Sequence, residues 1–415
     1  MHFILTPVGS SGDVHPYVGI GRALRARGHE VTIVTSEPFR NVSERAGLDF
    51  VPTHTSAEFD ELSSHPDLWH PQLGLRLILR AAATALRTEY AAVEQEYRPG
   101  RSVLVGHTLA FATRVFEDAH RAPAATLQLA PAIFRSRYRQ PVHLPGFDTT
   151  RLPRWAKRSL WWFIDRFIVD PTIAPEINRL RRELGLRRTS RIFDAWLHSP
   201  QRVIGLFPDW FAPPQPDWPP QLRLTGFPLY DEAEQHASST DLEAFLSAGT
   251  PPIVFTPGSA NRAAAEFLRT GAEAALRSGR RALLLTRYRE QVPAGLPPEV
   301  RHEAYVPFSH VLPRCAAIVH HGGIGTCAQG LAAGIPQLVM PLGFDQPDNA
   351  ARLERLGVGS WIVPSDFEPG RVADHVTRLL DNPALHARCA RWAAAVRTTD
   401  AIARTCEFLE DVAPR

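Results

Sequence analysis

Short, mostly apolar runs alternate with helix-spaced stretches along the chain, and the alternation starts afresh in the second half. In the first half Phe3–Leu5, Val31–Val34, Val103–Val105 and Ala124–Leu127 read as buried strands of a parallel sheet, apolar nearly throughout rather than at every other position. A Gly/Ser turn follows the first run. The next stretch places Tyr17, Ile20 and Leu24 at helical spacing beside the small Gly21 and Ala23, and Gly28-His29 stops it. A second series opens with Pro252–Thr256 and turns at Pro257-Gly258-Ser259. It continues through Ala282–Leu285, Ala316–Val319 and Gln337–Met340. Two such series predict an α/β protein of two facing, doubly wound, Rossmann-like domains with a cleft between them.

The boundaries follow from composition. Residues 1–230 form the expected N-terminal domain, 231–241 an acidic and Ser/Thr-rich linker, and 242–415 the C-terminal domain. Residues 53–100 and 130–200 are less regular, with long amphipathic stretches, aromatics and arginines, and Pro213–Pro220 is a stiff proline-rich passage. The last helical segment, from about 383 to 412, is expected to pack back across the domain junction.

Charge narrows the function classes. Lys+Arg 46 against Asp+Glu 43 leaves a formal charge of +3, which argues against a nucleic-acid binder with a broad basic face. Cys315, Cys327, Cys389 and Cys406 show no CxxC or zinc-type spacing and read as thiols of a reducing compartment. The first residues lack a basic leader and no run approaches the ~20 apolar residues of a membrane span. A cytoplasmic protein is expected, and contact with the inner membrane surface or a partner subunit is compatible with that.

The strongest chemical signal is His320-His321-Gly322-Gly323-Ile324-Gly325-Thr326, lying after a strand and opening a helix. The glycines let the backbone approach a ligand. The new helix directs free N–H groups and a positive dipole end at it, and His321 and Thr326 add side-chain donors, together a seat for a diphosphate. A glycine-rich turn with a capping threonine is the plainer alternative. Reading His320 and His321 as metal ligands finds no acidic partner nearby. The second signal is Gly9-Ser-Ser-Gly12-Asp13-Val-His15-Pro16, which lacks a dinucleotide GxGxxG pattern. Asp13 there can cap the following helix.

Tyr305-Val-Pro-Phe308, then His321–Thr326, then Pro341-Leu-Gly-Phe-Asp345-Gln346-Pro-Asp-Asn349 stand in one order and spacing. In these residues the chain resembles the family-one (UDP-glycosyltransferase-like) glycosyltransferases of GT-B fold. The resemblance implies a nucleotide-diphosphate-sugar co-substrate and no separate cofactor. His321, Gly323, Gly325 and Thr326 would hold the diphosphate, Ser259 would add a phosphate contact, and Asp345 and Gln346 would bind the sugar hydroxyls. Tyr305 would stack on the base and Val306 would meet its edge through the backbone. Plant members carry a Glu on the ribose diol where this chain has Gln329, a weaker clamp, which makes a deoxyribose (dTDP) donor more plausible and leaves UDP open. The family's bacterial members place a general base at the Asp of a Gly-Asp-x-x-Pro turn, here Asp13. His15 is the alternative base. His107 would orient Asp13, line the acceptor site or be a plain loop histidine. The chain has no Asp-x-Asp pair of the kind metal-dependent glycosyltransferases use, so no metal is expected and the leaving group would be stabilised by the helix dipole and His321.

A narrower likeness runs through Pro141-Val-His143, Ala174–Asn178, Trp196–Pro200, Leu206–Pro214 and Thr225–Leu229. These segments are similar to the rhamnosyltransferase subunits of rhamnolipid synthesis. That similarity implies inverting transfer of L-rhamnose from dTDP-L-rhamnose to the hydroxyl of an apolar, hydroxyalkanoyl lipid-like acceptor. Trp161, Trp162 and Phe163 supply apolar surface for such an acceptor, though a core helix pair explains the same stripe. Arg135, Arg137 and Arg139 would meet an acceptor carboxylate or form a solvated face. A UDP-glucose-dependent enzyme acting on aromatic or terpenoid alcohols and an inactive nucleotide-sugar-binding partner of another transferase are the alternative functions.

Overall fold

The structure, a computed structural model, describes residues 1–412 apart from 71–72, 143–148, 150–151 and 237. These fall into two compact units. One takes in Met1–Val142, the described part of 146–228 and the chain from Asp400 on; the other spans Leu229–Thr399.

The first unit is built on a parallel sheet of seven strands: β1 (His2–Thr6), β2 (Glu30–Thr35), β3 (Asp49–Pro52), β4 (Ser102–His107), β5 (Ala124–Gln128), β6 (Val203–Gly205) and β7 (Leu222–Leu224). Their spatial order is β3-β2-β1-β4-β5-β6-β7, so the winding reverses between β1 and β4. Phe3, Ile4 and Leu5 are completely buried, as expected for a central strand covered on both faces. His2 is buried in the same strand. Its ring nitrogens meet Ser102 Oγ at 3.0 Å and Thr32 Oγ1 at 2.9 Å, which ties β1 to both neighbours and satisfies every polar atom of the imidazole.

Helix Ser11–Ala26 buries Tyr17, Ile20, Gly21 and Leu24, the residues whose spacing predicts it. The C-terminal helix Ala401–Glu410 packs against it. Glu410 accepts from Arg27 at 2.8 Å and meets His29 Nε2 at 2.9 Å, and Cys406 Sγ lies 3.8 Å from the carbonyl of Ile20. The preceding helix, Pro383–Arg397, belongs to the second unit, so the expected single terminal helix is two.

The second unit repeats the plan with β8 (Ile253–Thr256), β9 (Ala282–Leu285), β10 (Val300–Glu303), β11 (Ala317–His320), β12 (Gln337–Val339) and β13 (Gly359–Trp361), all parallel. The order β10-β9-β8-β11-β12-β13 reverses between β8 and β11. The four cysteines are all free and buried. No helix of the described residues is long and apolar enough to cross a membrane.

The strands that apolar patterning misses are β3, β6, β7, β10 and β13. Each is three or four residues long, and several have partly exposed residues. A packing contact in the second unit shows how closely its layers fit. A Cβ added at Gly271, in helix Ala265–Arg277, would lie 2.4 Å from the ring of the fully buried Phe255 on β8. Gly271→Ala would gain about 1 kcal/mol of helix propensity. Overpacking costs about 1–3 kcal/mol, and a rigid ring inside a sheet cannot step aside, so the clash wins. A urea midpoint below wild type is expected, and a raised midpoint would contradict this packing.

Candidate active site

Open parallel sheets bind ligands beyond the carboxyl ends of their strands where the winding reverses. In this chain the residues singled out from sequence stand at both reversal points, and each unit carries one set.

In the first unit the reversal lies between β1 and β4. Asp13 follows β1 as the third residue of helix Ser11–Ala26, whose N-cap is Ser10. Its Oδ2 accepts the Ser10 N–H at 2.7 Å and the Ser10 hydroxyl at 3.1 Å. Asp13 is therefore the returning arm of a capping box rather than the cap itself. The two roles do not compete, because these contacts occupy Oδ2. Its other oxygen, Oδ1, faces Nε2 of His107 at 3.9 Å, beyond hydrogen-bond reach.

His107 ends β4 and is buried. Its Nδ1 accepts the Leu109 N–H at 3.3 Å, which leaves the proton on Nε2, the nitrogen turned to Asp13. Burial drives the His107 pKa down to about 3, so the ring is neutral at pH 7. Burial pushes Asp13 up to about 6, against the two Ser10 hydrogen bonds that lower it. The side chain still keeps 34% of its surface exposed. The shift thus reflects crowding by protein atoms and not complete removal from water. Tyr17 packs edge-on to His107 with ring centroids 6.2 Å apart, and its buried hydroxyl has no hydrogen-bond partner among the described residues. His15 lies on the same helix as Asp13 and is partly buried.

Beside this pair, at the ends of β4 and β5, Thr108 donates to Gln128 Oε1, and Gln128 Nε2 meets His198 Nδ1 at 3.3 Å. His198 stacks on Phe134 at 5.4 Å, and burial lowers its pKa to about 4. Nothing in the sequence spacing marks this trio, since its members are distant along the chain.

In the second unit the reversal lies between β8 and β11. His321 follows β11, and the turn Gly258-Ser259 follows β8. The two loops meet: a Cβ on Gly258 would stand 2.6 Å from the His321 ring, and one on Gly323 2.6 Å from its Nε2. Gly258 also has φ +91°, a conformation that side chains other than glycine rarely adopt. Burial holds the His321 pKa down at about 4, so it is neutral at pH 7, and its buried Nδ1 has no hydrogen-bond partner among the described residues. Helix Ile324–Ala333 begins here with Gly323 at its N-cap and no side-chain cap, and Thr326 is its third residue. Its first-turn N–H groups and the positive end of its dipole are left for a ligand, with Gly325 surrounded by open space.

His320 has a different task. Its ring is fully buried, accepts the Gly322 N–H on Nδ1 at 3.1 Å and sits 3.0 Å from Gln337 Oε1 through Nε2. With both nitrogens engaged it fixes the loop and has no lone pair for a metal. Among the described residues no group of three His, Cys, Asp or Glu side chains is placed to hold a metal ion.

The remaining donor-side candidates assemble around the same loop. Asn349 Nδ2 bonds the Gly322 carbonyl at 2.9 Å and Asp345 Oδ2 at 2.7 Å, linking the two loops. Asn349 stands one helical turn after Asp345, a spacing that the motif already contains. Gln346 Oε1 accepts the N–H groups of Leu342 and Gly343 at 2.7 and 3.2 Å, which leaves its Nε2 as the group able to bind a hydroxyl. Between them Phe344 holds φ +59°, a strained setting for an aromatic residue. The Tyr305 ring is 42% exposed, with its hydroxyl anchored on the Asp231 carbonyl at 2.7 Å and His236 at 4.8 Å. Val306 packs on the core of its unit. Gln329 is buried in helix Ile324–Ala333.

The acceptor-side expectations are rearranged. Trp161 lies under the guanidinium of Arg135 at 4.6 Å. Trp162 and Phe163 are 59% and 53% exposed, so a core helix pair does not account for them. The Arg135 side chain is 9% exposed and paired with the buried Asp165, so it is not part of a solvated face. His143 lies outside the described residues.

Comparison with known proteins agrees with the architecture. Residues 3–115 match the family described as the glycosyltransferase family 28 N-terminal domain, and 282–408 the erythromycin biosynthesis protein CIII-like, C-terminal domain. The O-mycaminosyltylonolide 6-deoxyallosyltransferase of Streptomyces fradiae is 30% identical, over 99% of this chain and 97% of its own. Among solved structures, the glycosyltransferase of kitacinnamycin superposes with a TM-score of 0.76 at 23% identity, covering 100% of this chain and 99% of that one. A spinosyn rhamnosyltransferase complexed with thymidine diphosphate gives 0.67 at 20% identity, covering 98% and 100%. Both likenesses speak to the fold alone.

Proposed function

This chain belongs to the nucleotide-sugar-dependent glycosyltransferases of GT-B fold, and we propose that within that family it transfers a 6-deoxyhexose, L-rhamnose first, from a thymidine-diphosphate sugar to a hydroxyl of an apolar acceptor, with inversion. The observation that carries the reading lies in the second unit, where an uncapped helix N-terminus and an unpartnered neutral imidazole stand together at the switch point.

Asp13 acts as the general base. As the acceptor oxygen forms its bond to the anomeric carbon, the bond from that carbon to the diphosphate oxygen breaks. The electron pair leaves with the diphosphate, and the acceptor proton passes to Asp13. A carboxylate with a pKa near 6 is a better base than an ordinary one and is still ionised at pH 7. Ser10 orients the carboxylate through Oδ2, and His107 turns its Nε2–H towards Oδ1 from 3.9 Å without adding charge. On the donor side the helix Ile324–Ala333 and His321 stabilise the departing diphosphate. The Nδ1 of His321 gains a partner there, and its pKa rises as the anion arrives. Asp345, held by Asn349, and the Nε2 of Gln346 bind sugar hydroxyls. Tyr305 offers an exposed ring to the base.

Support for the thymidine donor comes from Gln329, since an amide grips a ribose diol less firmly than a carboxylate would. The acceptor of the Streptomyces fradiae relative, as its name gives it, is a tylonolide. A bulky macrolide-type alcohol is thereby favoured over the hydroxyalkanoyl lipid suggested by the middle of the chain.

Thymidine diphosphate release from dTDP-L-rhamnose, assayed with tylonolide-type and hydroxyalkanoyl alcohols, tests the reading. Asp13→Asn should lower kcat about 100-fold or more with little change in the donor KM, while turnover like wild type would remove Asp13 as base. Protonation silences the base, so wild-type kcat/KM should fall as the pH drops through about 6. A profile flat from pH 5 to 8 would contradict that assignment.

A further inference from the structure

Of the large hydrophobic side chains left exposed among the described residues, half lie on one short stretch, between Leu152 and Phe167. Helix Arg154–Ile164 continues without a break through a wider π turn, Asp165–Val169. Trp155 is 73% exposed and Trp162 59%, one face of the helix seven residues apart, with Phe163 and Phe167 packed together beside them at 4.8 Å. The buried side of the same helix is occupied by Lys157 and Asp165, so this aromatic face is not the one that holds the helix in place.

Arg154, Arg158 and Arg166 are exposed on the same stretch. None of the three pairs with a carboxylate among the described residues; Arg154 lies over the Tyr138 ring at 4.3 Å and Arg166 over Phe167 at 5.6 Å. The one acidic residue from 152 to 167 is Asp165, which is buried and paired with Arg135. The charge exposed on this stretch is thus cationic, and aromatic rings lie beside it.

From this combination we infer that the face Trp155–Phe167 docks the first unit on an anionic lipid surface. Tryptophan and phenylalanine side chains sit at the boundary between headgroups and acyl chains, and arginines flanking them reach the phosphates. A protein partner of ordinary composition would need acidic groups facing these arginines and a cover for four aromatic rings, whereas a bilayer of anionic lipid supplies both over any area. The proposal uses no residue of the crevices at Asp13 and His321, and gives Trp162 and Phe163, read from the sequence as acceptor surface, a different role.

Co-sedimentation of the full chain with vesicles tests it, one set of phosphatidylcholine and one with a third phosphatidylglycerol. Binding to the mixed vesicles is expected, weakening with salt. Trp155→Ser with Phe167→Ser should reduce it at least tenfold, and Arg158→Gln with Arg166→Gln by about five-fold per arginine. All four side chains are exposed, and the wild-type melting temperature in both variants would show that folding is intact. No binding to the mixed vesicles, equal binding to phosphatidylcholine alone, or folded variants that bind like wild type would overturn the proposal. So would a wild-type dimer in sedimentation velocity that the Trp155→Ser, Phe167→Ser variant converts to monomer, because the face would then be a protein interface.

Discussion

A Cβ at Gly258 would stand 2.6 Å from the His321 ring, and a Cβ at Gly9 would stand 2.3 Å from the Asp13 carboxylate. In both units the loop after the first central strand must therefore lack a side chain for the reactive group to come in against the backbone. The sheets supply the rest of the constraint. With β1 beside β4 and β8 beside β11, each reversal of winding opens a crevice at the carboxyl end of the strands. The loop bearing the glycine and the strand end bearing the histidine are adjacent there because the register makes them so, with His320 opposite Thr256 and Thr6 opposite Gly106.

Electrostatics then separates the two crevices. Burial acts in both, yet it raises the carboxyl of Asp13 and lowers the imidazoles of His107 and His321, so that at neutral pH the first crevice carries one negative charge and the second a neutral donor. A neutral imidazole beside an uncapped helix end receives a diphosphate without already being saturated by a carboxylate. The engaged ring of His320 shows the contrast: two adjacent histidines in one motif, one spent on the fold and one left open.

The central strands and the glycine motifs were legible because they are local: apolar runs, glycines at fixed offsets and a helix start are written in contiguous residues. Asn349 was within reach, being four residues from Asp345 inside one motif. The Thr108, Gln128 and His198 trio was not, since pairing of β4 with β5 brings the first two together and His198 reaches them from a segment outside the sheet. Between the two readings of Trp162 and Phe163, core helix pair or apolar surface, the sequence alone could not decide. Apolar side chains at helical spacing are buried in most proteins, and only the structure reveals that the charged residues Lys157 and Asp165 took the inner face here.

Sugar transfer by this chain requires that the loop at His321 and the helix after it seat a thymidine-diphosphate leaving group. Calorimetric titration of thymidine diphosphate into wild type, His321→Ala and Asp13→Asn reads that seat without any acceptor present. Loss of one charge-assisted hydrogen bond should weaken binding about 10-fold or more in His321→Ala and leave Asp13→Asn at the wild-type affinity. Absence of binding in wild type, or equal affinity in a folded His321→Ala protein, would contradict the seat.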